Sequence, residues 1–199
     1  GNIRPCVVRR LHTHCTNTIM QKKTIWDMAR PTVDQYRRAP KMPVVVVLDN
    51  VRSLNNIGSL FRTADCFAAS GIALCGISAT PPSPEIHKTA LGAEDSVEWH
   101  YYPSTAEAVA GLRTKGFKIV CLEQVKGSVA LQDFTPDPSQ AYALVVGNEV
   151  DGVDPAIVDS ADTWLEIPQG GTKHSLNVTI SAAVALWHFY SHSEVLGTV

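Results

Sequence analysis

Val44, Val45, Val46, Val47 and Leu48 form an unbroken run of β-branched and aliphatic side chains. A strand with one face in water alternates polar and apolar residues, so this run predicts a strand covered on both faces, as in a parallel sheet between helix layers. Polar Asn50, Asn55 and Asn56 follow. Ile57, Leu60, Phe61, Ala64 and Phe67 or Ala68 then recur at helical spacing, with Gly71 as the expected stop. The alternation repeats, with strands predicted at Ile72 to Ile77, Val97 to Tyr102, Phe117 to Leu122, Tyr142 to Val146 and Thr163 to Ile167. Pro81-Pro82-Ser83-Pro84 reads as a loop before a short helix from His87 to Leu91. Ser104 and Glu107 form a capping-box pattern that opens a helix closed by Gly116. Asp154-Pro155 places an N-cap ahead of proline at the first helical position. Ser175 is placed to cap a last helix running to about Tyr190, with Leu176, Ile180, Ala183, Val184 and Trp187 along one stripe. The expected fold is α/β, a mostly parallel six-stranded sheet with helices on both faces.

At 199 residues the chain has room for one full core. Hydrophobic residues at 45% and charged residues at 18% exclude a disordered chain, and no apolar run approaches the ~20 residues of a bilayer span. Five cysteines without a C-x-x-C pair fit a reducing cytoplasm better than a disulfide framework or a zinc site. Cys6, His12, His14 and Cys15 match no standard ligand spacing, so no metal is expected. No charged stub followed by an apolar stretch marks a secretory leader. Met20 reads as a natural start, and residues 1–19 are expected to be dispensable. The net charge of −2 conceals an asymmetry: residues 1–41 carry +7 and residues 42–199 carry −9. The expected organisation is a basic arm over 1–41, partly disordered or helical, and one folded domain over 42–199. Such an arm either meets a polyanion or is a solvated leader.

In open parallel sheets, ligands bind where strands give way to loops at the carboxyl edge, because helix N-termini and free backbone groups converge there. Three polar segments fall on such ends: Asp49 to Arg62, Gly147-Asn148-Glu149, and Pro168 to Asn177. None is a G-x-G-x-x-G turn or a Walker loop, which argues against nicotinamide cofactors and nucleoside triphosphates.

Asn56-x-Gly58-x-x-x-Arg62, then Gly147-Asn148-Glu149-x-x-Gly152, then Ile167-Pro168 with Ser175-Leu176-Asn177-Val178, closely resemble the three motifs of the TrmH (SpoU) branch of the SPOUT RNA methyltransferases. The resemblance covers roughly residues 43–190. It implies transfer of a methyl group from S-adenosylmethionine to a ribose 2′-hydroxyl of tRNA or rRNA, and a C-terminal deep trefoil knot. It places the cofactor in the knot, its adenine held by backbone groups near Leu122, Gly147, Ile167 and Leu176. It gives Arg62 the central role, either as base or as clamp on the adjoining phosphate. A guanidinium is almost never deprotonated and its fork suits phosphate, so the clamp is the chemically preferred role. Glu149 would orient Arg62 or Asn56; of Ser175 and Asn177, one would cap the last helix and the other bind ribose or phosphate. His174 has the reference pKa of a base but no family role.

The resemblance also implies a homodimer with the site at its interface, and the last helix, apolar on more than one side, agrees with it. Arg37, Arg38 and Lys41 of the arm, with Tyr36 for stacking, and loop residue Arg52 are the expected RNA contacts. Two other readings remain open: a knotted RNA-binding protein without catalysis, and a base-modifying methyltransferase of the wider superfamily.

Overall fold

A computed structural model describes residues 21–24, 28 and 30–197. The chain divides into two units, Gly1–Arg30 and Pro31–Val199. The first has neither helix nor strand among its described residues, and its Lys22, Lys23 and Arg30 are exposed. Cys6, His12, His14, Cys15 and the expectation for residues 1–19 lie outside the described residues.

The second unit begins with α1 (Val33–Arg38) and β1 (Met42–Asp49), followed by α2 (Leu54–Cys66) and β2 (Ala69–Cys75). Next come α3 (Pro84–Ala90), α4 (Ala93–Ser96), β3 (Trp99–Tyr102), α5 (Thr105–Thr114) and β4 (Lys118–Leu122). The chain then forms β5 (Val129–Ala130), β6 (Tyr142–Val146), α6 (Pro155–Ser160), β7 (Thr163–Glu166) and α7 (Val178–Ser191). The sheet is parallel throughout, in the order β3-β2-β1-β6-β4-β7-β5. It has seven strands where six were expected: β5 is two residues long and has no hydrophobic period to announce it.

The run that predicted β1 is buried on both faces by strict alternation. Val44, Val46 and Leu48 join the core beneath α2, α3 and α7, whereas Val47, Ala143, Val145, Ile119 and Cys121 join a second core beneath α5 and α6. Each face of the sheet therefore has its own helix layer.

Helix ends and faces follow local chemistry, with several departures from expectation: α3 opens at Pro84 behind its Ser83 cap and not at His87. Gly71 is not the stop of α2. The helix ends at Cys66, Ala68 turns the chain with φ 49°, and Gly71 lies inside β2, where a β-carbon would come within 3.0 Å of the Glu98 carbonyl oxygen. Ser175 is not the cap of α7. Asn177 is, its side-chain oxygen accepting from the Thr179 N–H at 2.9 Å. The buried stripe of α7 is Ala182, Ala185, Leu186 and Phe189, while Ile180 (54% exposed), Val184 (40%) and Trp187 (52%) of the expected stripe face outward. An almost uniformly apolar helix does not say from sequence which side meets its own sheet.

α1 belongs to the second unit, although it comes from the expected arm. Thr32 and Gln35 close its capping box, and Tyr36 is buried with its hydroxyl 3.5 Å from the Ala64 carbonyl oxygen. Tyr36 is thus part of the core and not a surface for base stacking.

Candidate active site

β6 ends at Val146 and the chain enters a closed loop. The Asn148 N–H donates to the Gly152 carbonyl at 3.1 Å, and the Gly152 N–H returns to the Asn148 carbonyl at 3.3 Å. The Asn148 side-chain oxygen accepts from the Val150 and Asp151 N–H groups, both at 2.8 Å. Gly147 makes this closure possible: a β-carbon there would stand 2.0 Å from the Gly152 carbonyl carbon and 2.2 Å from the Val153 nitrogen. The glycine is demanded by close approach of backbone to backbone.

The loop carries Glu149 to the N-terminus of α2. Its carboxylate accepts from the backbone N–H groups of Arg52 (3.2 Å) and Ser53 (3.1 Å) and from the Asn56 side-chain amide (2.8 Å). Ser53 caps the helix itself, accepting from the Asn56 N–H at 3.2 Å. Burial alone would raise the Glu149 carboxyl, but the hydrogen bonds from Asn56, Arg52 and Ser53 outweigh it and hold the group below its ordinary range. A depressed folded pKa stabilises the fold above the unfolded value and stops doing so as pH falls through the folded one. Urea midpoints of wild type and Glu149→Gln should therefore differ at neutral pH and converge in acid, below the ordinary carboxylate value of 4.5. The difference should be small, because the side chain is exposed.

Gly58, two residues after Asn56, lets α2 cross α3 closely: a β-carbon would lie 2.2 Å from the Ile86 carbonyl oxygen and 2.1 Å from the Thr89 hydroxyl. The Thr89 hydroxyl in turn donates to the Asn55 carbonyl at 3.0 Å.

An open pocket of about 290 Å³ lies over the carboxyl ends of β4, β6 and β7. Its floor is apolar, with Leu122, Val146, Leu165, Ile167, Leu176 and Val178. Glu123, Glu149, Asp151 and Glu166 also line it, and no Lys or Arg does among the described residues. Such a lining attracts a cationic ligand and repels phosphate. Backbone groups at Gly147, Ile167 and Leu176 are within the lining, where they can read a heterocycle edge.

The structure brings together five of the nine predicted catalytic and cofactor residues as pocket lining besides Glu149: Leu122, Gly147, Ile167, Ser175 and Leu176. Asn56 stands behind Glu149, and Asn177 serves α7 as its cap. Arg62 is exposed on α2 and does not line the pocket. Of the expected RNA contacts, Arg38 is exposed, Arg37 donates to the Asp95 carbonyl, and Arg52 lies 4.0 Å from Asp151 at the surface. The Lys41 ammonium donates to the Tyr36 and Ala39 carbonyls and sits 4.0 Å above the Tyr36 ring; burial lowers its pKa against the raising effect of Asp65. No group of three His, Cys, Asp or Glu among the described residues is placed to hold a metal.

Two carboxylates carry more of the site than the sequence suggested. Asp49, buried at the end of β1, accepts from the Thr105 hydroxyl, from the Asn50 amide at 2.9 Å and from the Asp154 N–H at 2.7 Å. Glu123, the first residue beyond β4, accepts from the Val153 N–H at 3.0 Å. An acid closing a buried apolar run, Asp49 at the last position of β1 and Glu123 just past β4, is the signal that could have found both.

A parallel α/β sheet with an acid-lined pocket over its carboxyl edge, walled by the loop that closes on Gly147, defines an α/β protein with a candidate ligand site at its sheet edge. The sequence profile of the SpoU rRNA Methylase family matches residues 43–187, and the chain belongs to that family. It is 30% identical over 159 residues to the 23S rRNA (guanosine-2′-O-)-methyltransferase RlmB of Nitrosomonas europaea, covering 78% of this chain and 59% of that one. Among solved structures it is similar to an AdoMet-bound rRNA methyltransferase of Sinorhizobium meliloti (TM-score 0.70, 30% identity, 79% of this chain and 60% of that one). It is also similar to the SpoU methyltransferase AviRb of Streptomyces viridochromogenes in complex with AdoMet (TM-score 0.67, 26% identity, 77% and 62%). The chain spans about three fifths to two thirds of the length of the curated relatives it matches.

Proposed function

We propose that this chain is an RNA 2′-O-ribose methyltransferase that takes its methyl group from S-adenosylmethionine and acts on tRNA or rRNA as a homodimer. The observation that carries this reading is the pocket: an apolar floor and four carboxylates, without a lysine or arginine among the described residues, suit an adenosine joined to a cationic sulfonium. S-adenosylmethionine, when bound, supplies an electrophilic methyl group.

The chain must then position the ribose hydroxyl and stabilise the charge that develops on its oxygen. Arg62 has the fork geometry for a phosphate or an alkoxide but stands away from the pocket of its own subunit. The outward face of α7 explains how it reaches one. Ile180, Val184 and Trp187 leave an apolar surface beside α2, where Phe67 packs on Trp187 with ring centroids 5.9 Å apart. A second copy seated on this surface buries it and brings Arg62 to the partner's pocket. Glu149 and Asn56 fix the α2 N-terminus against the pocket wall and so set the register of Arg62.

We also infer the knot. β7 pairs with β4 on one side and β5 on the other, yet it is made after both, so residues 123–128 pass over the slot that β7 fills. Residues 167–177 threading beneath that crossing give a trefoil, and the contact of the Gln124 side-chain amide with the His174 carbonyl at 3.3 Å supports this reading by bringing the two segments together.

Nucleoside analysis of RNA from a deletion strain tests the reading directly. The expected result is loss of one 2′-O-methylated nucleotide. Loss of a methylated base instead would make the enzyme base-modifying. Cofactor binding without any change in RNA would leave a knotted RNA-binding protein.

RNA grip is assigned to the basic arm. Lys22, Lys23, Arg30 and Arg38 are exposed, whereas Lys41 is engaged with Tyr36. Replacing these four with Gln should lower the log-log salt slope of RNA binding by roughly 0.7–0.9 each, about 3 in all. Lys41→Gln should change it much less. Filter binding across a salt series reads this, and an unaltered slope in the fourfold variant rejects the arm.

A further inference from the structure

We propose, on the reading of the pocket as the cofactor site, that Glu123 and Gln124 are positioning residues: they tie two segments of the pocket lining to the end of β4. The Glu123 Oε2 accepts from the Val153 N–H at 3.0 Å, and Oε1 accepts from the Gln124 N–H at 3.0 Å. The carboxylate lies so close to Gly152 that a β-carbon there would stand 2.4 Å from Oε2. Gly152 has φ +72°, and its carbonyl also lies against Gly147, where a β-carbon would stand 2.0 Å from the Gly152 carbonyl carbon. Glu123 and Gly147 thus both bear on Gly152, and the carboxylate at the end of β4 sets where the Gly147–Val153 segment stands. The next side chain acts on the other segment: Gln124 Nε2 donates to the His174 carbonyl, beside Ser175 and Leu176. Both residues line the pocket themselves. β4 is held between β6 and β7, so it is a rigid post for both ties.

Glu123 is therefore required for the shape of the pocket and not for the transfer step. Its carboxylate can be shortened or neutralised separately. Glu123→Asp keeps the charge but withdraws the oxygen from the Val153 N–H; Glu123→Gln removes the charge and keeps one acceptor of the same reach, enough for the Val153 N–H but not for the Gln124 N–H as well.

Calorimetric titration of S-adenosylmethionine into the full chain, with KM and kcat on RNA, tests the assignment. The expected result is a loss of cofactor affinity of about 10- to 100-fold for Glu123→Asp and Glu123→Ala, and recovery of part of it in Glu123→Gln, which restores the Val153 acceptor but neither the second acceptor nor the charge. The KM for the cofactor should rise while kcat at saturating cofactor and RNA affinity stay within about threefold of wild type; Gln124→Ala should show a smaller effect of the same kind. Wild-type affinity in Glu123→Asp, or an equal loss in Glu123→Gln, overturns the positioning role. If Glu123→Ala does not fold, the Asp and Gln variants decide. Failure of the wild-type protein to bind S-adenosylmethionine would instead overturn the reading of the pocket.

Discussion

Arg62→Ala is expected to remove methyl transfer almost completely, by roughly 10²- to 10³-fold or more in kcat, while S-adenosylmethionine affinity and the urea midpoint stay close to wild type. Arg62 is exposed, lies outside the pocket lining and has no hydrogen bond or ion pair to the described residues of its own chain. Its removal therefore costs the fold little. On the proposed function it supplies a planar cation to an acceptor phosphate and to the oxygen that loses its proton, charges absent from the binary cofactor complex. Arg62→Lys should restore only part of the rate, since an ammonium keeps the charge but not the two-pronged geometry. Single-turnover transfer and cofactor titration on the same preparation separate the outcomes. Parallel loss of cofactor binding would show that Arg62 shapes the pocket and does not act on the acceptor.

Gly147→Ala is expected to damage the pocket severely for a single added methyl group. The added carbon meets the Gly152 carbonyl carbon at 2.0 Å and the Val153 nitrogen at 2.2 Å, and neither can rotate away as a side chain can. Relief requires the closed loop to move outward by about an ångström or more, and displacements of that size at a site cost on the order of 10²-fold. The movement takes Glu149 from the Arg52, Ser53 and Asn56 donors and Val153 from Glu123 together. Cofactor affinity should fall at least about 100-fold and stability by about 1–3 kcal/mol, the usual cost of forced overpacking. The sheet, in which β6 ends at Val146 and β7 begins only at Thr163, should survive. Far-ultraviolet circular dichroism with cofactor titration checks both halves; unchanged affinity would mean that the loop yields without consequence for the pocket.

The strands were readable because burial on both faces leaves a compositional mark: Val44 to Leu48 admits almost no other interpretation. The three motifs were readable because glycine and asparagine at strand ends are tied to backbone geometry, and Gly147, Gly58 and Asn148 each have such a reason. Residues whose role depends on a distant partner were not. Glu149 was singled out, but its grip on the Arg52 and Ser53 backbone joins positions nearly a hundred residues apart. Asp49 and Glu123 accept from backbone N–H groups of the same distant loop region, and a backbone donor leaves no trace in a motif. Tyr36 was misread for a related reason: aromatic among arginines suits a nucleic-acid surface, yet the capping box at Thr32 turns that side of α1 into the core. In α7, which side is buried depends on α2 and β1, and hydrophobicity alone is silent on it.

The strand order also dictates when the molecule can be assembled. β1, β2 and β3 pair in the order in which they leave the ribosome, so that half of the sheet can close on itself during synthesis. β4 is made next but has both edges bare until β6 and β7 arrive on either side of it, and β5 has no partner at all before β7. Two interior gaps must be filled late, by insertion, with long loops already closed around them, which is the slow kind of pairing. The nascent chain thus spends the translation of more than forty residues, from Leu122 to Glu166, with unpaired strand edges of the type that recruit other chains. Holding factors at the exit tunnel would have their longest task at β4, and truncation just short of β7 would give an aggregating species and not a smaller folded one.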